Sequence, residues 1–282
     1  MTPDRSSPAA RPPDRVPRPD GGDTDRPGDG ADEPRAEPAP RTVAEERKPS
    51  PMRRTIASRL HDSYSEAVHV TATRVVDAEP LFAALDAAGD RDGVDLSLSD
   101  AVLVAVSEAL DRHPSFNATF EDGTHRVYEE HNIGYGVDLE QGLIAPVLAD
   151  VGSLSVAEVH RRRTALVDRV LDGDYDTADL RGGTFTVSNL GPLGVDSFTP
   201  IINPPQVAIL GVDAVRERAV RADGTAEHTD GSDAAGGDGV AFRRHLPLDL
   251  SFDHRVVDGA DAGRFLRTLA ELVEEPDDLF GE

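Results

Sequence analysis

The chain has 282 residues, 53 acidic against 29 basic side chains, a formal net charge of −24 at pH 7, and no cysteine. Disulfides, thiolate nucleophiles and Cys-ligated metal centres are excluded, no metal site is expected, and so acidic a chain opposes nucleic-acid binding through phosphate contacts. No segment reaches the roughly 20 apolar residues of a membrane-spanning helix, so a soluble, cytoplasmic protein without a membrane partner is expected.

Residues 1–50 hold 11 of the 21 prolines and no Ile, Leu, Phe, Tyr or Trp. Such a segment cannot bury enough apolar surface to offset chain entropy; it reads as a disordered arm, with 51–282 as the folded domain. That domain carries 42 acidic and 20 basic residues, and all 20 are arginine. The one lysine in the chain is Lys48. An acidic, lysine-poor surface suits solubility at high salt, where repulsion is screened, so a salt-rich cytoplasm is expected.

The folded part reads as mixed α and β. Met52 to Glu66 sets Ile56, Leu60 and Ser63 or Tyr64 on one helical face, and His69 to Val76 is rich in strand formers. Ser99 is a candidate cap for a nearly all-apolar helix from Asp100 to Arg112, ended by His113-Pro114. Strand-like runs follow at Asn132 to Leu139 and Leu143 to Leu148, separated by the turn Glu140-Gln141-Gly142. Ser155 and Glu158 form a capping box for a helix carrying Val156, Val159, Leu166, Val167 and Val170. Strands are expected at Thr184 to Ser188, Gln206 to Val212 and Leu246 to Leu250, with Arg221 to Gly239 a surface loop. A last helix bears Ala262, Phe265, Leu266, Leu269 and Val273.

The chemistry concentrates at Ser251-Phe252-Asp253-His254-Arg255-Val256-Val257-Asp258-Gly259-Ala260. It puts an imidazole at the end of a strand, where it can meet a substrate and act as a base. The ordinary reading stands beside it: Asp258 caps the following helix, with Asp261 in its first turn, and His254 is a strand-end residue.

From Met52 onward the chain resembles the catalytic domain of the dihydrolipoamide acyltransferase component of 2-oxoacid dehydrogenase complexes, which shares its fold with chloramphenicol acetyltransferase. The matching blocks are Met52 to Leu60, Asn132-Ile133-Gly134 with Val137-Asp138 and Gly142 to Val147, Gly182 to Gly191, Phe198 to Pro205, and the histidine motif. A lone His-x-x-x-Asp-Gly is weak, whereas five blocks in order over about 230 residues are specific. The resemblance implies an α/β fold of the two-layer sandwich type, a mixed sheet with flanking helices. It also implies a homotrimer, or a larger core built of trimers, with active sites between subunits.

It also implies roles. His254 takes the proton from the thiol of dihydrolipoamide or coenzyme A, and an imidazole accepts a proton near neutral pH without extreme tuning. Ser188 matches the donor to the oxyanion, a hydrogen bond typically worth about 100- to 1000-fold in rate; the plain alternative is a strand-end hydroxyl bonded to the Asn189-Leu190-Gly191 turn. Asp258 matches a group that organises the site by pairing with an arginine, for which Arg53, Arg54 and Arg59 are candidates, because burying a lone carboxylate is costly. Ser97, Asp138 and Asn189 fall in blocks that line the coenzyme A channel, although each is equally readable as a turn serine, a hairpin carboxylate and a turn asparagine.

There are departures from the pattern. An arginine that some relatives carry after the first strand has no clear equivalent at Leu81 to Leu85, and Val68 stands where relatives often have proline. Lys48, in Glu46-Arg47-Lys48-Pro49-Ser50-Pro51, has no strand pattern around it and reads as a linker lysine rather than a lipoylation site. The acyl group is therefore expected on another polypeptide, a lipoyl-bearing protein, or on a small thiol, with 2-oxoacid dehydrogenase and dihydrolipoamide dehydrogenase components as partners. Acetyl is the preferred group and branched-chain acyl the next. A stand-alone coenzyme A-dependent acyltransferase and a non-catalytic assembly scaffold remain open alternatives.

Overall fold

The chain is described by a computed structural model over residues 41–140, 142–221 and 239–280; most of the expected arm and of the Arg221 to Gly239 loop lies outside the described residues. Lys48–Glu282 form one unit. Its helices are α1 (Pro51–Glu66), α2 (Glu79–Asp92), α3 (Leu98–Arg112), α4 (Val156–Leu171) and α5 (Gly259–Glu274). Its strands are β1 (His69–Asp77), β2 (Ala118–Glu121), β3 (Thr124–Val127), β4 (Ile133–Tyr135), β5 (Val137–Leu139), β6 (Gly142–Ile144), β7 (Val147–Leu148), β8 (Phe185–Asn189), β9 (Ala208–Val212), β10 (Arg216–Arg221) and β11 (Val240–Asp253). None of the described helices is long and apolar enough to cross a membrane.

Seven strands make the main sheet in the order β1-β11-β9-β8-β4-β7, with β10 pairing the first half of β11. The β4–β8 and β8–β9 pairs are parallel and the others antiparallel. The side-chain period of two sorts the sheet into two faces. Leu246, Leu248, Leu250 and Phe252 of β11 join Leu210, Val212, Phe185, Val187 and Ile133 in the apolar core beneath α3 and α5. The opposite face carries Asp249, Ser251 and Asp253 of β11, Ile209 and Gly211 of β9, and Thr186 and Ser188 of β8, in ladder register. Those three β11 residues are at most 2% exposed, so β11 from Leu246 to Asp253 is buried on both faces, one apolar and one polar.

The sequence pattern and the structure differ in four places. The cap of α3 is Ser97, not Ser99: Asp100 sits at the third helical position and accepts from the Ser97 N–H at 2.8 Å, so the helix starts two residues earlier. The run Asn132 to Leu148 divides at Gly136 and Ala145-Pro146 between the main sheet and a separate β5–β6 hairpin. Helix α2 has no side-chain hydrogen bond at its cap, Ala78, so it lacks a start signal of the Ser/Asp kind. The β2–β3 hairpin turns through Asp122-Gly123 at φ 51° and 69°, the Asp-Gly signature of a two-residue turn.

Helix α5 ties the layers together. Phe265 is fully buried, with its ring centroid 4.8 Å from that of Phe116 and 5.9 Å from that of Phe185. Truncation to alanine leaves a cavity the rigid sheet cannot close, so Phe265→Ala should cost about 3–5 kcal/mol in urea unfolding; a loss under about 1 kcal/mol would mean this contact does not anchor α5.

Candidate functional site

Ser188 is the penultimate residue of β8, 5% exposed, on the polar face. It has room because position 136 is glycine: a Cβ there would lie 3.3 Å from the Ser188 Oγ and 3.4 Å from its Cα. Among the described residues the hydroxyl has no hydrogen-bond partner and opens on a cavity of about 200 Å³. The walls are largely apolar, with Ile56 and Leu60 from α1, Leu143 and Ile144 from β6, and Ile201 and Ile209 opposite. The one cation lining it is Arg59, whose Nη2 donates to the Pro204 carbonyl at 3.1 Å and to Asn203 Oδ1 at 3.4 Å. A serine hydroxyl without a partner, in an apolar hollow, is a donor still available to a ligand.

The neighbouring Asn189 is held from two sides. Its Oδ1 accepts from the Gly191 N–H at 2.9 Å, and its Nδ2 donates to Ser99 Oγ at 3.2 Å. Ser99 in turn meets the Tyr135 hydroxyl at 2.9 Å, which is the work its side chain does in place of capping. Asn189 is thus a turn former that fixes the exit of β8. Ser97 belongs to a different cluster: its Oγ donates to Asp100 Oδ2 at 2.7 Å and accepts from Arg163 Nη2 at 3.2 Å. Burial works against the Asp100 charge, but Arg163, Ser97 and His160 outweigh it and hold its carboxyl below the usual carboxylate range. Asp138 lies exposed on β5 opposite Leu143. Neither Ser97 nor Asp138 lines the Ser188 cavity.

His254 follows the last residue of β11, its N–H bonded to the Val68 carbonyl at 2.9 Å. The turn is set by Asp253, which accepts from the Val68 N–H at 3.2 Å and takes Arg255 as a bidentate partner, 2.9 Å to Nε and 2.6 Å to Nη2. Burial opposes this charge as well, yet Arg255 and the Arg255 and Val68 amides keep the Asp253 carboxyl below the usual range. Asp253 and Arg255 line a second, polar cavity of about 440 Å³ together with Asp62 and Glu66 of α1. The His254 Nδ1 lies 3.7 Å from Asp258 Oδ1, an ionic contact when the imidazole is protonated.

Asp258 does what the ordinary reading assigns to it: it caps α5 in a capping box with Asp261, whose Oδ2 accepts from the Asp258 N–H at 3.0 Å. Its side chain is 78% exposed within this chain, and the arginines of α1 do not reach it. Arg54 bonds the Pro49 carbonyl at 2.8 Å, Arg59 bonds the Asn203-Pro204 turn, and Arg53 lies against Gly142.

The same chain does not bring His254 to Ser188. Ser188 stands level with Gly211 and Asp249 across the sheet, and His254 lies five residues further along β11, a separation of about 16 Å along the strand and about 10 Å across two strand spacings. His254 does not line the Ser188 cavity. One subunit thus presents the Ser188 hydroxyl with an apolar hollow at one place and the His254 imidazole with its Asp258 neighbour at another.

Two buried carboxylates at this site, Asp253 and Asp249, carry no sequence signal beyond an aspartate in the inward register of a strand. That register was readable once Leu248 and Leu250 were assigned to the core face.

Comparison with known proteins places the chain. Residues 42–281 match the model for the 2-oxoacid dehydrogenases acyltransferase (catalytic domain), and the chain belongs to that family. It is 36% identical over 236 residues to the dihydrolipoyllysine-residue acetyltransferase component of the pyruvate dehydrogenase complex of Mycobacterium tuberculosis, covering 81% of this chain and 41% of the relative. It is also 36% identical over 236 residues to the succinyltransferase component of the 2-oxoglutarate dehydrogenase complex of Haemophilus influenzae, covering 82% of this chain and 54% of the relative. The chain thus spans about half or less of the length of these relatives. Among solved structures, the dihydrolipoamide acetyltransferase of Azotobacter vinelandii matches with a TM-score of 0.74 at 30% identity, over 86% of this chain and 99% of that one. In that protein a serine, a histidine and an asparagine four residues after the histidine were investigated for their role in the catalytic mechanism.

The carboxylates held low by their partners give the site a defined acid limit. A depressed carboxyl contributes stability above its unfolded pKa and loses it as pH falls through the folded one. For Asp100 and Asp253 the loss should therefore be confined to below about pH 4, and Asp253→Asn should flatten part of that limb in thermal melts recorded from pH 5 to pH 2.

Proposed function

We propose that the folded domain, residues 51–282, is an acyltransferase that moves an acyl group between dihydrolipoamide and coenzyme A, with its active site assembled from two copies of the chain. The observation that carries this reading is the split arrangement: Ser188 has an available hydroxyl in an apolar hollow, His254 stands at a strand end, and one subunit keeps them apart. A neighbouring copy supplies the missing half at each site, as cyclic symmetry in a trimer allows. His254 removes the thiol proton, the thiolate attacks the thioester carbonyl, and Ser188 donates to the oxyanion of the tetrahedral intermediate. His254 then returns the proton to the departing thiolate. The histidine and the residue four positions on correspond in spacing to the Azotobacter vinelandii pair, with Asp258 in the place of its asparagine. Asp258 orients the imidazole and caps α5, and an arginine of the neighbouring subunit is its partner. Ser97, Asp138 and Asn189 act as wall or support of the coenzyme A channel, Asn189 through the turn it fixes.

The acyl group is acetyl, with a branched-chain group as the second choice. The apolar walls offer a dicarboxylic acyl group such as succinyl no free cation, since Arg59 is committed to Pro204 and Asn203. The lipoyl group comes on another polypeptide: Lys48 lies exposed in backbone without regular structure rather than at a hairpin tip. Trimers, alone or in a larger core, work in a salt-rich cytoplasm beside a 2-oxoacid dehydrogenase and a dihydrolipoamide dehydrogenase. The all-arginine, acidic composition supports the salt-rich setting.

Acetyl transfer from acetyl-CoA to free dihydrolipoamide tests the chemistry. His254→Ala should lose about 100- to 10,000-fold in kcat and Ser188→Ala about 100- to 1000-fold; equal activity in wild type and His254→Ala would sink the mechanism. Mixing the two inactive variants during refolding tests the split site. About one interface in four then pairs a sound Ser188 with a sound His254, so about a quarter of wild-type activity should return, whereas a site within one chain returns none. Succinyl-CoA should be at least tenfold poorer than acetyl-CoA in kcat/KM. Thermal stability should rise from low to molar KCl, and a flat response removes the salt-adapted setting.

A further inference from the structure

The loop between Asn189 and Pro200 is fastened to the polar face of the sheet by a pair of acidic side chains that the catalytic reading leaves unused. Asp249 of β11 is fully buried, and its carboxylate collects donors on every side: Thr73 Oγ1 of β1, Ser197 Oγ at 2.8 Å and the Phe198 N–H at 2.9 Å. Asp213, just past β9, is 1% exposed, and neither of its side-chain oxygens finds a donor among the described residues. It continues the β9–β11 ladder through its N–H to the Pro247 carbonyl at 3.2 Å. That register makes it a diagonal neighbour of Asp249 on the same face, within side-chain reach. Two ionised carboxylates cannot face each other without water; one proton between them turns a repulsion into a hydrogen bond.

We propose that Asp213 and Asp249 share one proton, and that this proton holds Asp249 under Ser197 and Phe198 and so positions the loop beside Ser188. The contact to the site is direct. The Phe198 ring packs on Gly211, where a Cβ would fall 2.8 Å from Cε1, and Gly211 is the ladder neighbour of Ser188. Three residues beyond Phe198, Ile201 begins the segment that walls the Ser188 cavity. Asp213 and Asp249 are positioning residues and touch no substrate.

Burial and the neighbouring carboxylates act on Asp213 in one direction. Burial, then the charges of Asp249 and Asp196, push the Asp213 carboxyl up to about 7. Asp196 is itself paired with Arg216 of β10 at 2.7 Å, β1 contributes the Thr73 hydroxyl, and the turn after β8 contributes Gly191, packed against the Asp213 carbonyl. A carboxyl whose folded pKa is raised stabilises the fold below its unfolded pKa. That stability is lost between about pH 4 and about 7 and changes no further above it.

The positioning role rests on Ser188 being a catalytic donor, whereas the proton itself does not, and the experiment separates the two. Infrared spectroscopy of the intact protein should show a buried carboxylic-acid C=O band at pH 6 that disappears by pH 8.5. Asp213→Asn, whose amide donates to Asp249 at every pH, should lack the band, and Asp249→Asn should move its titration to lower pH by a unit or more. The Phe198 amide, corrected for intrinsic exchange, should exchange at least tenfold faster at pH 8.5 than at pH 6 in wild type and unchanged in Asp213→Asn. Acetyl transfer should fall through about pH 7 in wild type relative to Asp213→Asn. A wild-type spectrum without the band overturns the shared proton. A titrating band with a pH-independent Phe198 amide overturns the positioning of the loop, and titration of both in a protein inert toward acetyl-CoA discards the acyl-transfer reading alone.

Discussion

The second half of strand β11, from Leu246 to Asp253, has no solvent face, and the rest of the molecule is arranged around that fact. Its even-numbered residues from Leu246 to Phe252 join the apolar core, and its odd-numbered residues, Asp249, Ser251 and Asp253, are buried as completely on the other side. Each polar residue must therefore find partners: Thr73, Ser197 and the Phe198 amide for Asp249, Thr71 for Ser251, Arg255 and the Val68 amide for Asp253. A one-residue slip in register would put three polar groups into the core and four large apolar ones among the hydroxyls. The polar face thereby fixes the register that the apolar face only favours, and it levels Ser188 with Gly211.

The turn after β11 inherits this precision. Asp253 is immobilised by a bidentate guanidinium and two amides, so the following residue, His254, leaves the sheet at a set point. Helix α5 starts four residues later with Asp258 as its cap, and its Phe265 reaches the core aromatic cluster. The histidine therefore sits in a short connection clamped at both ends by elements that cannot move independently. In the proposed acyl transfer His254 is the general base, and a base requires that kind of fixture.

Much of this was legible in the sequence, and the exceptions have physical reasons. The helices with strong apolar periodicity and a capping box, α4 and α5, and the alternation around Leu246 to Leu250 were read in place. The cap of α3 was misplaced by one candidate serine because Ser97 and Ser99 offer the same hydroxyl, and only the carboxylate of Asp100, three residues from Ser97, separates them. The β2–β3 hairpin carried a usable Asp122-Gly123 signal, whereas α2 opens without one. For the site, Ser188 lies within a recognisable block, and the structure puts its hydroxyl at the apolar cavity. The separation of Ser188 from His254 could not be read from spacing, since it depends on strand order, which places β9 between β8 and β11. Asp213 was invisible for the same reason, being acidic by sequence and distinctive only through the neighbour that the ladder gives it.

If the acyl-transfer reading holds, the distance between donor and base within one chain has a consequence for chemical economy. An isolated subunit offers a thioester an apolar hollow and an oxyanion donor with no base beside them, and a base elsewhere with no hollow. It can neither transfer an acyl group nor promote its loss to water. A nascent or dissociated chain is therefore harmless to the thioester pool, and competence appears only when neighbours close the interface and exclude solvent from the bond about to be exchanged.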